Sequence, residues 1–320
     1  MRPNTRLGAG ILAVVVLAGA GTVLGSYPMY LLSLAFVTVI SAVGLNILTG
    51  NAGQISLCHS SFMAIGAYTS TLLTIHLGVP FWAAIPCGTA LAAFAGLLVG
   101  APAMRLGGIY LALVTLGFLQ IVQIGVEEMQ VLTGGVRGLA VPKASFHGVA
   151  LTDYGRYLIV LGYCAVAVWI AHNLLTSRVG RELNAVRQSS QAAQALGISL
   201  QRTKLMAFAL SAAYAGAAGG LLAMLVGFLD PMEFGVSSAI RYITYIVVGG
   251  VGSLGGSILG AGLLSALPEL LRPVKEYGDL VYTLILLGFL IFMPRGLVVP
   301  WKAVAAAVRK RCANAAVGKS

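Results

Sequence analysis

The sequence predicts an all-α protein, a polytopic membrane helix bundle of about ten membrane segments that includes one glycine-broken or re-entrant pair, N-in and C-in. Three observations predict it. Of the 320 residues, 58% are hydrophobic and only 9% charged, whereas a soluble domain is about 25% charged. The apolar residues gather into runs long enough to cross a bilayer, and the mean hydropathy is +0.93. The basic residues, which give a formal charge of +11, sit in the short gaps between those runs. Such a composition excludes a disordered chain, a collagen, a disulfide scaffold and an ordinary soluble enzyme.

A bilayer core of about 30 Å takes roughly 20 helical residues per crossing. Uncharged apolar runs of this kind lie near residues 8 to 25, 29 to 49, 55 to 76, 81 to 100, 107 to 126, 157 to 176, 205 to 229 and 280 to 299. The first follows Arg2 and Arg6 and contains Ala18-Gly19-Ala20, which mimics a signal-peptide cleavage site. It exceeds the usual apolar core of a signal peptide and further spans follow, so an uncleaved first helix is expected. In the third run Ser56, His59, Ser60 and Met63 share one helical face. Such a face turns away from hydrocarbon, either to hydrogen-bond another helix or to line a path. Gln120, Gln123 and Glu127 form a second polar edge at the outer end of the fifth run, open to the same two readings. With Asn46, Gln54 and Thr115, these side chains make up a candidate translocation path: Asn46, Gln54, Ser56, His59, Ser60, Thr115, Gln120 and Gln123. The seventh run carries Ala212, Gly216, Gly220, Ala223 and Gly227, small residues that let helix backbones approach closely.

The stretch from 238 to 271 is too long for one crossing and is broken at Gly249-Gly250-Val251-Gly252-Ser253-Leu254-Gly255-Gly256. Charge decides how it counts. With the N-terminus in the cytoplasm, alternation puts Arg105 and the 177 to 204 segment inside, and Glu127, Glu128, Asp153, Asp230 and Glu233 outside. A single crossing by 238 to 271 would leave Lys302, Arg309, Lys310, Arg311 and Lys319 outside, against the positive-inside rule. Two passes, or a re-entrant pair, return this basic tail to the cytoplasm, where Glu182 is then the one acid. Backbone that leaves helical geometry at membrane depth must be satisfied by protein or by a water-filled cavity, so Gly250, Gly252 and Gly255 are expected inside the bundle. A similar break, Gly50-Asn51-Ala52-Gly53, precedes the third run. Paired interrupted segments point to transporter-style internal symmetry.

Other chemistry finds little support. Gly250-Val251-Gly252-Ser253-Leu254-Gly255 matches the dinucleotide fingerprint, but apolar sequence continues on both sides where a βαβ unit would be needed. Gly318-Lys319-Ser320 resembles the end of a phosphate-binding loop, yet the first glycine position holds Ala313. Cys58, Cys87, Cys164 and Cys312 lie far apart, with no metal-ligand spacing, and read as small hydrophobes. No metal site, catalytic residue or nucleic-acid surface is expected. Asp and Glu are missing from the predicted spans except for Glu269. Ion-coupled carriers usually keep a carboxylate along the route, so the energy source is expected outside the chain.

The 177 to 204 segment is polar, basic and helical in pattern. It runs from Ser177-Arg178-Val179-Gly180-Arg181-Glu182 through Val186-Arg187-Gln188 to Gln191-Ala192-Ala193-Gln194-Ala195-Leu196-Gly197. Its apolar residues Leu183, Val186, Ala192, Ala195 and Leu196 suggest that it docks on something. It resembles the coupling loop of ABC importer permeases, in which EAA, three residues and then Gly recur, with Gln191 in place of the acid. More narrowly, the chain is similar to the LivM-type permease subunits of branched-chain amino acid importers. Further matches are Gly44-Leu45-Asn46 to Gly53-Gln54, Gly66-Ala67-Tyr68, Arg105 to Phe118, Thr133-Gly134-Gly135 with Gly138-Leu139 and Pro142, and Phe292-Met293-Pro294-Arg295-Gly296-Leu297.

The resemblance implies a single transmembrane permease domain over 1–320, multi-pass in the bacterial cytoplasmic (inner) membrane, with a cytoplasmic coupling loop at 177–204 and a basic tail at 300–320. It implies no cofactor in this chain. ATP and Mg would sit on two cytoplasmic ATP-binding subunits, and a second, LivH-like permease and a periplasmic substrate-binding protein would complete the importer. Arg178, Gly180, Arg181, Arg187, Gln191, Ala192, Ala193 and Gly197 would form the coupling surface. The arginines would contact the ATPase or anionic lipid headgroups, or serve topology alone. The rival readings are an ion- or proton-coupled secondary transporter, an intramembrane enzyme, and an importer for urea or short amides.

Overall fold

The computed structural model describes residues 25–103, 108–143, 145–146 and 149–270, with a few positions of the flanking segments. Five of the described helices are long and apolar enough to cross a membrane: Ser26–Asn51, Phe81–Pro102, Ile109–Glu128, Asp153–Thr176 and Leu200–Val226. The architecture is that of an all-α, polytopic membrane protein.

Helix α1 (Ser26–Leu45) runs directly into a π-helical turn, Asn46–Asn51. Helices α2 (His59–Leu77), α3 (Phe81–Ala103) and α4 (Ile109–Glu128) follow, then a short turn α5 (Gln130–Thr133). Helix α6 (Asp153–Thr176) leads into α7 (Arg178–Gln188) and α8 (Ser190–Ala195), and α9 (Leu200–Val226) returns through the bundle. The last described helices are α10 (Val236–Gly249) and α11 (Leu254–Leu270).

Helix α9 is the hub, packed most extensively on α3 and α2 and then on α1. Its small residues explain the closeness. A Cβ on Gly216 would stand 2.5 Å from the Cβ of Ala92, and one on Gly219 or Gly66 would overlap the backbone of Met63 or Gly216. At such separations many atoms are in van der Waals contact, the main attraction left to helices already immersed in lipid. Helices α4 and α6 lie toward the outside, with Ile109, Leu113, Ile121, Val166 and Trp169 exposed. Helix α2 is different: it carries Ser60, Ser61, Ser70 and Thr71, all buried, so its polar atoms face protein rather than hydrocarbon.

Several boundaries depart from the sequence pattern. The third run begins its helix at His59, because residues before it form an irregular approach in which the Leu57 amide donates to Thr115 Oγ1 at 3.0 Å. Helix α6 starts earlier than the apolar run, at Asp153, where Thr152 caps it by accepting from the Gly155 amide at 3.2 Å. The 238 to 271 stretch is two helices folded back on each other, and a Cβ on Gly249 would overlap the carbonyl of Gly256. Helix α10 has 14 residues, about 21 Å of rise against the roughly 30 Å of a full crossing. Two-residue strands also interrupt the helical design: Leu139–Ala140 pairs antiparallel with Phe228–Leu229, and Ser145–Phe146 with Val149–Ala150. They satisfy loop backbone groups where helices cannot.

The bundle therefore has two distinct ends. Residues 46–53, 184–187 and 250–252 gather at one. The segments around Gly138–Ala140 and Phe228–Leu229 join at the other. Most of the run at 8 to 25, Arg105, the run at 280 to 299, the Phe292 to Leu297 motif and the basic tail lie outside the described residues.

Candidate functional site

Both glycine-bearing breaks and the polar segment between α6 and α9 meet at one junction. At the end of α1 the chain widens into the π-helical turn, and Asn46, its first residue, points its side chain across the bundle. Asn46 Oδ1 accepts from the amide of Gly252 at 2.8 Å. That amide is turned toward it because Gly250 and Gly252 hold φ at 118° and 85°, values that suit glycine alone. Helix α7 closes the third side. Arg187 Nη1 donates to the carbonyl oxygen of Gly50, and Asn51 Nδ2 donates to Asn184 Oδ1 at 3.4 Å. The fit leaves no room for side chains: a Cβ on Gly50 would lie 2.5 Å from the Gly252 nitrogen and overlap Asn46 Oδ1, and one on Gly252 would overlap Arg187 Nη1. Gly53, with φ of 69°, packs its Cα against the Arg187 stem. Thr49 Oγ1 and Asn51 Oδ1 are buried here without a hydrogen-bond partner.

Helices α7 and α8 divide their side chains between the bundle and the outside. Leu183 and Val186 are buried within this chain, so they anchor α7 rather than await a partner. Gly180 lets α7 turn tightly against the last turn of α6, where a Cβ would overlap the carbonyl of Leu175. Arg178 pairs with Glu182 at 3.0 Å, and Arg181 donates to the Thr176 carbonyl at 3.3 Å, both at the surface. Ser189 caps α8 by accepting from the Ala192 amide at 3.2 Å. Ala193 is buried, whereas Gln191 and Ala192 are exposed. Gly197 ends the helix at φ of 79°, its amide donating to Gln194 at 2.9 Å and that of Ile198 to Ala193 at 3.0 Å. Beside it Leu196 stands 79% exposed.

The polar faces of the candidate path are drawn into helix contacts. His59 is buried, with Nε2 at 3.0 Å from Ser41 Oγ of α1, Nδ1 at 3.3 Å from Ser211 Oγ of α9, and its ring edge-on to Tyr242. Ser56 Oγ lies 3.1 Å from Cys58 Sγ, and Ser60 donates to the Gly235 carbonyl at 3.5 Å. Thr115 is engaged by Leu57, and Gln54 Nε2 donates to the Ala52 carbonyl at 3.3 Å. Gln120 is exposed. Gln123 Nε2 donates to Glu127 Oε1 at 3.1 Å. Gly216 and Gly220 lie in the α2–α3–α9 contact, while Gly255 has open space around it. Of the candidate path residues only Asn46 therefore reaches the junction. Asn51 and Asn184 belong to it and were not singled out in the sequence, although Asn184 lies one turn before Arg187 on the same face. Among the described residues no group of three His, Cys, Asp or Glu is arranged to hold a metal ion.

Comparison with known proteins identifies the family. The family model described as "Branched-chain amino acid transport system / permease component" matches residues 27–293. The high-affinity branched-chain amino acid transport system permease protein LivM of Escherichia coli (strain K12) is 35% identical over 290 residues, covering 83% of this chain and 68% of LivM. The corresponding LivH of the same strain is 28% identical over 80% of this chain and 89% of LivH. The autoinducer 2 import system permease protein LsrC of Salmonella typhi is 28% identical over 90% of this chain and 86% of LsrC. No solved structure matches. The chain belongs to the family of branched-chain amino acid transport system permease components.

Proposed function

We propose that this chain is the membrane-spanning permease subunit of an ATP-driven importer that carries branched-chain or related amino acids into a bacterial cell by alternating access. It would work beside a second, LivH-like permease, with two ATP-binding subunits on the cytoplasmic side and a binding protein delivering cargo in the periplasm. The membrane is the bacterial inner membrane, crossed in about ten segments with both termini in the cytoplasm.

One observation carries this reading: Arg187 of α7 donates to Gly50 while the Gly50–Gly53 break touches Gly252 of the α10–α11 turn. A push on α7 and α8 is thereby delivered to α1 and to the α10–α11 hairpin in one step, without a flexible linker to absorb it. Leu196, exposed beside the Gly197 turn, gives an ATP-binding subunit an apolar point of grip. The unpartnered Thr49 and Asn51 oxygens favour a joint that rearranges, because a second arrangement can satisfy what this one leaves bare.

The test is uptake of labelled leucine into proteoliposomes holding this chain with its partner subunits, with and without ATP. ATP-dependent uptake is expected, and none from the isolated chain under an ion gradient. Gradient-driven uptake by the isolated chain would overturn the reading in favour of a secondary carrier. Competition by urea, short amides and other amino acids ranks the cargo.

A further inference from the structure

A small cavity lies between α2, α4 and the 3-10 turn Pro231–Phe234, away from the Arg187 junction. Its volume is about 10 Å³, the room of one water molecule or one ammonium group. Most of the wall is apolar, with Val122, Val126 and Phe234 contributing. Three polar side chains break that wall: Ser61, Tyr68 and Gln123. Ser61 and Tyr68 are 2% and 4% exposed, and both hydroxyl oxygens are buried without a hydrogen-bond partner. Two such orphans in one cavity call for a hydrogen-bonding occupant.

Gln123 spends its amide nitrogen on Glu127, which leaves Oε1, near Gly235, able to accept. Each of the three groups thus offers an acceptor oxygen, and the Ser61 and Tyr68 hydroxyls are rotors that can turn their protons away. Three carboxylates, Asp230, Glu127 and Glu233, act on Tyr68, and Arg241 opposes the last of them. A carboxylate or phosphate entering here would meet like charge, whereas a protonated amine would meet acceptors and opposite charge. The Tyr68 and Phe234 rings in the wall pack edge-on to each other, 6.2 Å apart.

From this geometry we infer that the Ser61–Tyr68–Gln123 cavity is a subsite for the ammonium group of a primary amine, and that it receives the α-ammonium of the cargo as it leaves the binding protein. The second half of this inference rests on the importer function proposed above. The first half does not, because it concerns binding of an amine to the cavity alone.

Two leucine fragments separate the chemistry. L-leucinol keeps the ammonium and lacks the carboxylate; isocaproate keeps the carboxylate and lacks the ammonium. Saturation-transfer NMR on the assembled importer in lipid nanodiscs, without binding protein, measures the dissociation constant of each. Leucinol is expected to bind more tightly than isocaproate, and Tyr68→Phe and Ser61→Ala are each expected to weaken leucinol about tenfold, the cost of one hydrogen bond to a charged group, while leaving isocaproate unchanged. Tyr68→Phe keeps the ring packed on Phe234, and a melting temperature close to wild type verifies folding. Equal leucinol binding in both variants, or weakening confined to isocaproate, would overturn the subsite. If ATP-driven leucine uptake fails while leucinol still depends on Tyr68 and Ser61, the importer reading falls and the amine site stands.

Discussion

Arg187 on α7 donates a hydrogen bond to the carbonyl oxygen of Gly50, 137 residues earlier in the chain, so the segment outside the bundle holds the end of a helix inside it. Carbonyls at the end of a helix lack intrahelical donors, and a guanidinium there supplies both a donor and a compensating charge. The same guanidinium lies against Gly252, which puts one side chain in contact with both broken segments.

Replacing Arg187 with Ala removes that donor while leaving Leu183 and Val186 to hold α7 in place. A hydrogen bond to a charged group is worth about 1.5–3 kcal/mol, so ATP-driven uptake is expected to fall about tenfold or more, with the chain still inserted and ATP hydrolysis by the complex continuing. Arg187→Lys keeps the charge but not the planar fork and should fall between. Parallel assays of uptake and phosphate release read the coupling ratio; an unchanged ratio in the Ala variant would remove Arg187 from the transmission route.

The glycines at the junction should be intolerant in a graded way. Gly50→Ala forces a methyl to within 2.5 Å of the Gly252 nitrogen and into Asn46 Oδ1, so the two breaks must separate. A loss of about 1–3 kcal/mol is expected, the range of overpacked sites, seen as a lowered melting temperature in detergent. Gly255→Ala is the control, because nothing lies within 4 Å of the added carbon; it should melt as wild type or slightly higher.

Gly197 tests conformation without packing. Its φ is 79° and no atom lies within 4 Å of an added Cβ. Ala at this position therefore costs only the left-handed backbone, about 1 kcal/mol, and Asn should cost less. Unequal effects of Ala and Asn on melting, matched by unequal coupling ratios, would tie the shape of this turn to transmission. Asp adds a charge beside the exposed Leu196 and is expected to reduce uptake beyond its effect on melting.

Much of this was legible because lipid leaves so blunt a mark. Runs of about 20 apolar residues announce helices, and α1, α3, α4, α6 and α9 follow them. Boundaries were harder: Asp153 and Leu200 start helices in polar sequence because Thr152 caps one and the other continues out of the bundle. Spacing alone grouped Ser56, His59 and Ser60 on one face but could not tell an interhelical bond from a lined path, since both need a polar face turned inward. The meeting of Arg187 with Gly50 was out of reach for a different reason. It joins two segments by one side chain across a long sequence separation, and nothing local at either position records the partner. The Ser61 and Tyr68 orphans were equally hidden, because a missing hydrogen bond is a property of the packed structure.

Glu233 ties stability to pH at the end of the bundle remote from Arg187. Desolvation raises its carboxyl above the ordinary 4.5, repulsion from Asp230 adds to the rise, and Arg241 opposes it. The folded protein therefore holds this proton more tightly than the unfolded chain does. The resulting stabilisation is fully present below the ordinary carboxylate range and is lost as pH rises through the elevated folded value. At neutral pH the ionised Glu233 is a cost, so Glu233→Gln should melt above wild type at pH 7, and the two should converge as the pH falls below 4.5. Arg241→Ala removes the opposing charge and should widen the gap between wild type and Glu233→Gln. Asp230→Asn should narrow it, though it also weakens the turn in which Asp230 accepts from the Met232 amide at 2.9 Å. Melting curves of wild type, Arg241→Ala and Asp230→Asn, each with and without Glu233→Gln, from pH 4 to pH 8 read the sign directly. A Glu233→Gln variant less stable than wild type at neutral pH would mean that Arg241 outweighs burial and that the carboxylate is held as a partner rather than tolerated.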